Sequence, residues 1–435
     1  MEPGISASRG RSSMRILWVT NVGLPEAYML MGEHPSHFGG WLVNSAFCLA
    51  NIESVELFVS FPTNKANKYK QLVGKKVKYY PFAPIKDNDT KRIKNNEYFD
   101  NLLAELQPDI VHIHGTEMAH ALSMVNACKR TNTKVVISIQ GLVSVIEKHM
   151  YSNLPTHVIY GKSLRNIIRG DNVEGLRRRF IRKGNNEIEA LRKVDHIIGR
   201  TTWDKACSQQ INPKAKYYSC NETLRDVFYR YQWKLEYCER HSIFTSQGQY
   251  SIKGLHFMLE AMPLILQKFP DAKLFVAGKN IISSQSLKER LLMTYYGKYL
   301  KKIIINLRLE KHVIFTGLLS ESEMCQRYIR SHVFVCPSSI ENSPNSLGES
   351  MILGVPSVAS FVGGIPDMLK DKEDGFLYQH DAPYMLAYYV CKIFEDDDLA
   401  LKFSTNARKR ALRTHDISQN TKRLMDIYDE IILQT

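Results

Sequence analysis

Short apolar, β-rich runs alternating with stretches of helical length constrain this chain more than any other feature. RILWVTN (15–21) opens the series, and VELFVS (55–60), IVHIH (110–114), VVISIQ (135–140) and HIIGR (196–200) continue it. A second series begins with SIFTSQ (242–247) and runs through KLFVAG (273–278), VIFTG (313–317), VFVC (333–336) and VPSVAS (355–360). Such continuous apolar runs suit strands buried on both faces, and the alternation with helices predicts parallel sheets covered by helices. A single core rarely grows past roughly 250–300 residues. With 435 residues, the two series therefore predict two doubly wound α/β units in tandem.

Local signals refine this frame. Leu255, Met258, Leu259, Met262, Ile265, Leu266 and Phe269 recur at helical spacing, with Pro263 expected to kink the helix. Ser320 and Glu323 have the spacing of a capping box. Residues 225–240 carry Tyr, Trp and charge without a β run and are expected to form the hinge; 399–435 reads as helix throughout. Residues 1–13, MEPGISASRGRSS, are small and polar, as in a disordered leader or tag, and lack the apolar centre of a signal peptide. No run reaches the roughly 18 apolar residues that cross a bilayer, so a cytoplasmic protein is expected. The eight cysteines are scattered without C-x-x-C pairs, which predicts free thiols and no zinc or redox site.

A formal net charge of +14 favours polyanionic partners. The excess is concentrated in 162–193, where ten Lys and Arg face four Asp and Glu, and Leu164, Ile167, Ile168, Leu176, Phe180 and Ile181 interleave with the charges. That pattern favours an interfacial helix pair on an anionic membrane over a solvated basic face or a nucleic-acid contact.

Ligands of doubly wound sheets bind beyond the carboxyl ends of the strands, so chemistry is sought in strand-to-helix turns. CPSSIENSPNSLGESMILGVPSVAS (336–360) is the most informative of these, with a helix expected to begin near Asn345. There the Asn345, Ser346 and Leu347 amides would face an anion such as a diphosphate. Glu341 and Glu349 flank this turn, one suited to a sugar and the other to ribose hydroxyls. His112 and His114 alternate in one strand without a third ligand; one is expected to pack and the other to line a cleft.

The 341–349 segment resembles the E-x7-E signature of glycosyltransferase family 4, the retaining nucleotide-sugar transferases of GT-B fold. QGQYSIKG (247–254) is similar to that family's G-R-x(4,5)-K-G turn, VGGIPD (362–367) and DGFL (374–377) to its V-G-G-I-P-E and N-G-F-L pieces, and HFGGW (37–41) to its glycine loop. The resemblance implies an acceptor-side unit over 14–225, a nucleotide-sugar-binding unit over 226–414 and a final helix, 415–435, packing back on the first unit. Glu341, Lys253 and Gln140 would act on the reacting sugar. Gly39, Gly40, Gln249, Lys253, Asn345, Ser346, Leu347 and Glu349 would bind the donor, with His114, Glu222 and Arg225 as further cleft candidates. Gln249 stands where the family has an arginine, and Gln140 where many members have a histidine; glutamine hydrogen-bonds but does not titrate.

The implied reaction moves a sugar from a nucleoside diphosphate sugar, UDP by family frequency, to a hydroxyl of a glycan acceptor. A lipid-linked acceptor, a role in cell-surface polysaccharide synthesis at the inner face of the membrane, and no metal or other cofactor are expected. The alternatives are a nucleotide-sugar epimerase or hydrolase on the same fold and a two-lobed binding protein. A Rossmann dehydrogenase is disfavoured because G-x-G-x-x-G does not follow the first strand.

Overall fold

The structure is a computed structural model and describes residues 13–34 and 39–434. Most of the expected leader lies outside the described residues, as do His37 and Phe38 of the glycine loop.

Two sheets carry the fold. The first contains β1 (Met14–Val19), β2 (Val55–Pro62), β3 (Leu72–Val73), β4 (Val77–Phe82), β5 (Ile110–His114), β6 (Val135–Ser138), β7 (His196–Gly199) and β8 (Lys216–Ser219), in the order β3-β4-β2-β1-β5-β6-β7-β8. All its pairs are parallel except β3 with β4. The second contains β9 (Glu239–Thr245), β10 (Lys273–Ala277), β11 (Val313–Gly317), β12 (Ser331–Cys336), β13 (Ser357–Ser360) and β14 (Phe376–Tyr378), ordered β11-β10-β9-β12-β13-β14 and parallel throughout. Chain order reverses between β1 and β5 and between β9 and β12, which are the switch points where crevices open. The turns after β9 and β12 carry Gln249, Lys253 and Glu341.

β1 shows why these runs become central strands. Ile16 faces Leu57 on one side and Ile110 on the other, and alternation sends Ile16 and Trp18 to one face of the sheet and Leu17 and Val19 to the other. The helix Ile417–Leu433 covers the Trp18 face through Leu424, Ile427, Tyr428 and Ile431. The Trp18 indole N–H donates to the Tyr428 hydroxyl (3.0 Å), which also bonds His112 Nδ1 (2.6 Å).

Several expectations need correction. Strand ends shift by a few residues, and β3, β4, β8 and β14 were not expected. β4 carries Lys78 and Pro81, which interrupt its apolar run, yet Pro81 lies beyond the two residues that β3 pairs, so its missing N–H costs no ladder bond. The last stretch is two helices, Asp397–Thr414 and Ile417–Leu433, because the Asp416 carboxylate caps the second by accepting from the Gln419 amide (2.7 Å). The expected hinge is docked on the second unit, where Trp233 is buried and its indole N–H donates to the Ser331 carbonyl (2.8 Å). The capping box at Ser320 and the helix start at Asn345 are present.

The basic stretch 162–193 forms two helices, Leu164–Arg169 and Val173–Lys193. Leu154, Val158, Ile159 and Val173 belong to the core of the second sheet, although they precede it by a long way in the chain. The helix Val173–Lys193 neutralises part of its charge locally, with Arg177 paired to Glu147 (3.0 Å) and Arg178 to Glu174 (2.8 Å). Its Leu176, Phe180 and Ile181 are half-buried, whereas Leu164, Ile167 and Ile168 on the preceding helix, Leu164–Arg169, are exposed. Among the described residues no helix is long and apolar enough to cross a membrane, and all eight cysteines are free thiols.

Tyr428→Phe strands buried polar atoms of Trp18 and His112. It is expected to lower the unfolding free energy by about 1–3 kcal/mol. Denaturant unfolding measures this, and an unchanged midpoint would show that the hydroxyl does not secure the last helix.

Candidate active site

A cavity of about 710 Å³ opens between the two units, lined by Gly39, Gly40, Arg225, Gln247, Gln249 and Gly278, with Leu318–Glu321 on its far wall. The glycines permit close backbone approach. Gly39 has φ of 83°, and a Cβ at Gly40 would lie 2.7 Å from the aliphatic stem of Arg225. Arg225 in turn donates to Glu349 Oε1 from Nε (2.8 Å) and Nη2 (2.7 Å) and lies over the Phe228 ring. The Glu349 carboxylate, which would bind ribose, is thus already engaged by an arginine of the segment joining the two sheets.

Lys253 and Glu341 do not line that cavity. Lys253 ends the turn that carries Gln249, and its Nζ lies 2.6 Å from Glu341 Oε1, which also accepts from the Ser338 hydroxyl (2.8 Å). Burial works against the Lys253 ammonium, but the Glu341 carboxylate outweighs it and raises the lysine pKa. The 341–342 loop is held by the VGGIPD segment: Gly364 N–H donates to the Glu341 carbonyl (3.0 Å), and a Cβ at Gly363 would collide with that same oxygen. At the helix Asn345–Leu353, the expected trio of free amides becomes a pair. Leu347 N–H is taken by the Pro344 carbonyl (3.1 Å), whereas Asn345 and Ser346 occupy first-turn positions that have no intrahelical acceptor. The Leu347 side chain is fully buried, and the Ser346 carbonyl accepts from Tyr328.

Gln140 and Glu222 meet in a network whose centre is Arg200, a residue not singled out from the sequence. Arg200 Nη1 lies 2.6 Å from Glu222 Oε1, Nη2 donates to Gln140 Oε1 (3.2 Å), and Nε donates to Ser343 Oγ. Gln140 Nε2 donates to Glu222 (2.6 Å), and the Gln140 carbonyl accepts from Asn342 (3.2 Å). Asn342 also bonds Thr201 (2.6 Å) and Asp204 (3.0 Å). Arg200 is the first residue after β7, a strand end on the cleft side; that position was the available signal, but a lone arginine there has no motif to mark it. Asp367, of VGGIPD, accepts from the Thr202 amide and hydroxyl, so it joins the same seam.

His112 is packed, bonded to Tyr428 and through Nε2 to Ser138 Oγ (2.5 Å). His114 lies against it, with ring centroids 3.8 Å apart, beneath Trp18 and Trp41. It lines a small cavity with Arg200 and Glu222, and both its ring nitrogens are buried without partners. Burial, reinforced by His112 and Arg200, holds its pKa well below the usual histidine range, so the ring is neutral. Among the described residues, no group of three or more His, Cys, Asp or Glu is placed to hold a metal ion.

Burial also pushes the Glu349 carboxyl up to about 7 against the pull of Arg225. A carboxyl whose folded pKa exceeds its ordinary value of 4.5 binds its proton more tightly in the folded state, so its contribution is full at low pH and is lost as pH rises through about 7. The stability of the wild type relative to Glu349→Gln is therefore expected to fall across that window, by up to about 1.4 kcal/mol per pH unit. Urea unfolding at stepped pH measures it; a flat difference would show that Glu349 titrates normally.

Comparisons with known proteins bear on the fold and on the sequence of the second unit. Residues 231–410 match the family described as glycosyl transferases group 1. A putative glycosyltransferase of Bacillus subtilis, YtcC, is 29% identical over 183 residues, which are 41% of this chain and 43% of that protein. The alignment thus spans less than half of that relative's length. Sucrose-phosphate synthase from Thermosynechococcus elongatus superposes with a TM-score of 0.67 at 14% identity, covering 97% of this chain and all of the other. HepE of Anabaena in complex with UDP and glucose gives 0.66 at 15% identity over 96% of this chain and all of the other. The chain has the GT-B fold, and residues 231–410 are similar to glycosyl transferases group 1.

Proposed function

We propose that this protein is a retaining glycosyltransferase of family 4 that moves a sugar from a nucleoside diphosphate sugar, a UDP-sugar, to a hydroxyl of a lipid-linked glycan in cell-surface polysaccharide synthesis. The observation that carries the reading is the interunit cavity of about 710 Å³, within the size range of small-molecule sites, walled by a glycine turn, an arginine and the turn of Lys253. The match of residues 231–410 to glycosyl transferases group 1 and the UDP and glucose bound by HepE support a nucleotide-sugar donor.

In this reading the nucleotide fills the cavity and its diphosphate reaches the turn that carries Gln249 and Lys253. Arg225 supplies the fixed cation that Gln249 does not, from across the cavity. The C1–O bond breaks with its electron pair leaving on the diphosphate, whose growing charge is stabilised by Lys253, Arg225, the Gly39 and Gly40 amides and the Asn345 and Ser346 amides. The acceptor oxygen attacks C1 from the face the diphosphate leaves, and its proton passes to a leaving phosphate oxygen. Glu341 positions the Lys253 ammonium, which has three donors and so serves a carboxylate and a phosphate together. Gln140, Glu222 and neutral His114 border the sugar and acceptor end, where they bind hydroxyls. The reaction needs no metal, because lysine, arginine and a helix N-terminus provide the positive charge.

Lys253→Ala is expected to lower kcat by roughly 100- to 1,000-fold. Glu341→Gln in the same chain removes the unpaired carboxylate and so controls for misfolding. Arg225→Ala is expected to weaken UDP binding by about tenfold. Thermal shift against UDP, GDP, ADP and their sugars reads the nucleotide preference, and turnover with and without acceptor reads the chemistry. Near-normal turnover in Lys253→Ala would overturn the electrostatic account, and full donor consumption without acceptor would indicate a hydrolase or epimerase instead.

A further inference from the structure

Two short helices from opposite halves of the chain, Leu164–Arg169 and Leu287–Leu292, lie side by side. Arg165 Nη1 donates to the Leu292 carbonyl (3.3 Å), and the Tyr295 amide donates to Asn166 Oδ1 (2.8 Å). Their outward faces are apolar: Ile167 is 66% exposed, Ile168 77%, Leu287 76% and Leu291 55%, with Leu164 and Leu292 also exposed. Single exposed leucines are ordinary, but six large aliphatic side chains on two touching helices form a patch that calls for a partner.

The charge around the patch identifies that partner. Residues 279–302 hold six Lys and Arg against one acid, Glu289, and that carboxylate is spent on its own helix start, accepting from the Gln285 (2.8 Å) and Ser286 (3.1 Å) amides. Arg290, Lys298, Lys301 and Lys302 line a hollow of about 510 Å³ that has no Asp or Glu in its wall. Lys162, just before the other helix, and Arg169, at its end, flank the isoleucines. Among the described residues, none of these six cations forms an ion pair.

A second copy of this chain would bring one basic rim against another, and a nucleic acid would leave the aliphatic side chains in water. An anionic bilayer satisfies both features, since the aliphatic ends enter the acyl boundary while the ammonium and guanidinium groups meet lipid phosphates. We infer that the surface formed by helices Leu164–Arg169 and Leu287–Leu292, with the adjoining basic hollow, docks this protein on an anionic lipid bilayer. The surface bridges both halves of the chain and differs from the long basic helix Val173–Lys193, where Arg177 and Arg178 are paired. Gly278, which lines the cleft, leads through residues 279–286 into the helix Leu287–Leu292, so docking there would bring a lipid-linked acceptor to the half of the chain that carries one wall of the cleft. That consequence for a lipid-linked acceptor rests on the transfer reading; the docking does not.

Co-sedimentation of the full chain with vesicles of phosphatidylcholine alone, and of phosphatidylcholine mixed with phosphatidylglycerol, tests it. Binding is expected only with phosphatidylglycerol and is expected to weaken with added salt. Ile167→Ser with Ile168→Ser, and separately Lys298→Glu with Lys302→Glu, should each reduce binding by about tenfold or more. Both variants should keep the wild-type thermal shift with UDP. Equal binding to the two vesicle types, no binding to either, or undiminished binding by either variant would overturn the proposal. So would a dimer of the wild type that the isoleucine variant dissolves. Vesicle binding without any nucleotide shift would sink the donor reading and leave the docking intact.

Discussion

The Arg200 guanidinium is the interaction on which the cleft depends. It stands at the end of β7, nearly buried, and its three nitrogens reach Glu222, Gln140 and Ser343, which come from the β8 exit, the β6 exit and the second unit. A charge withdrawn from water this far is stable only when a carboxylate and well-placed acceptors surround it, so the group dictates where each of those loops lies. Asn342, bonded to Thr201, Asp204 and the Gln140 carbonyl, extends the seam along the same loop as Glu341. The spacing between the two sheets at the Arg200 end of the cleft is therefore set by hydrogen-bond lengths rather than by apolar packing alone.

The same cost of burying single charges explains the state of Lys253 and Arg225. Lys253 rests on Glu341 and Arg225 rests on Glu349 before any ligand arrives. Such pairs keep two cations in place inside a low-dielectric cleft, already oriented, so in the proposed reaction a diphosphate would meet fixed charge and need not order it. The glycine pair at 363 and 364 acts in the same direction, because only side chains without Cβ let this segment clamp the Glu341 carbonyl.

The two units also share a core at a second place. Residues Leu154, Val158, Ile159 and Val173 leave the first half of the chain and complete the packing of the second sheet, and Ser152 and Met150 bond His256 and Ser251 through their carbonyls. With the polar seam on one side and this packed arm on the other, the cleft is held at two points. The arm's apolar outer helix is left facing outward, which is why a basic segment of the first half and one of the second end up on a common surface.

Much of this was legible in the sequence because it is local. Buried parallel strands must be apolar along their whole length, a capping box needs only Ser320 and Glu323, and a helix after a Pro/Asn/Ser loop begins at Asn345 by its own turn chemistry. The two-sheet architecture and the turn that carries Glu341 follow from such signals, whereas the turn of Gln249 and Lys253 was marked by the family resemblance. Polar or very short strands such as β8 and β14 escaped because pairing partners, not their own residues, make them strands, and β4 because Lys78 and Pro81 interrupt its apolar run. The pairings that decide the site escaped for a related reason: Arg225 meets Glu349 across 124 residues and Arg200 meets Ser343 across 143, and no periodicity encodes contacts between units. The chain by itself determined the elements and the turns where chemistry gathers. Only the tertiary structure decided which charge neutralises which and which apolar faces remain uncovered, because desolvation and Coulomb attraction depend on distances that exist only after both sheets have packed.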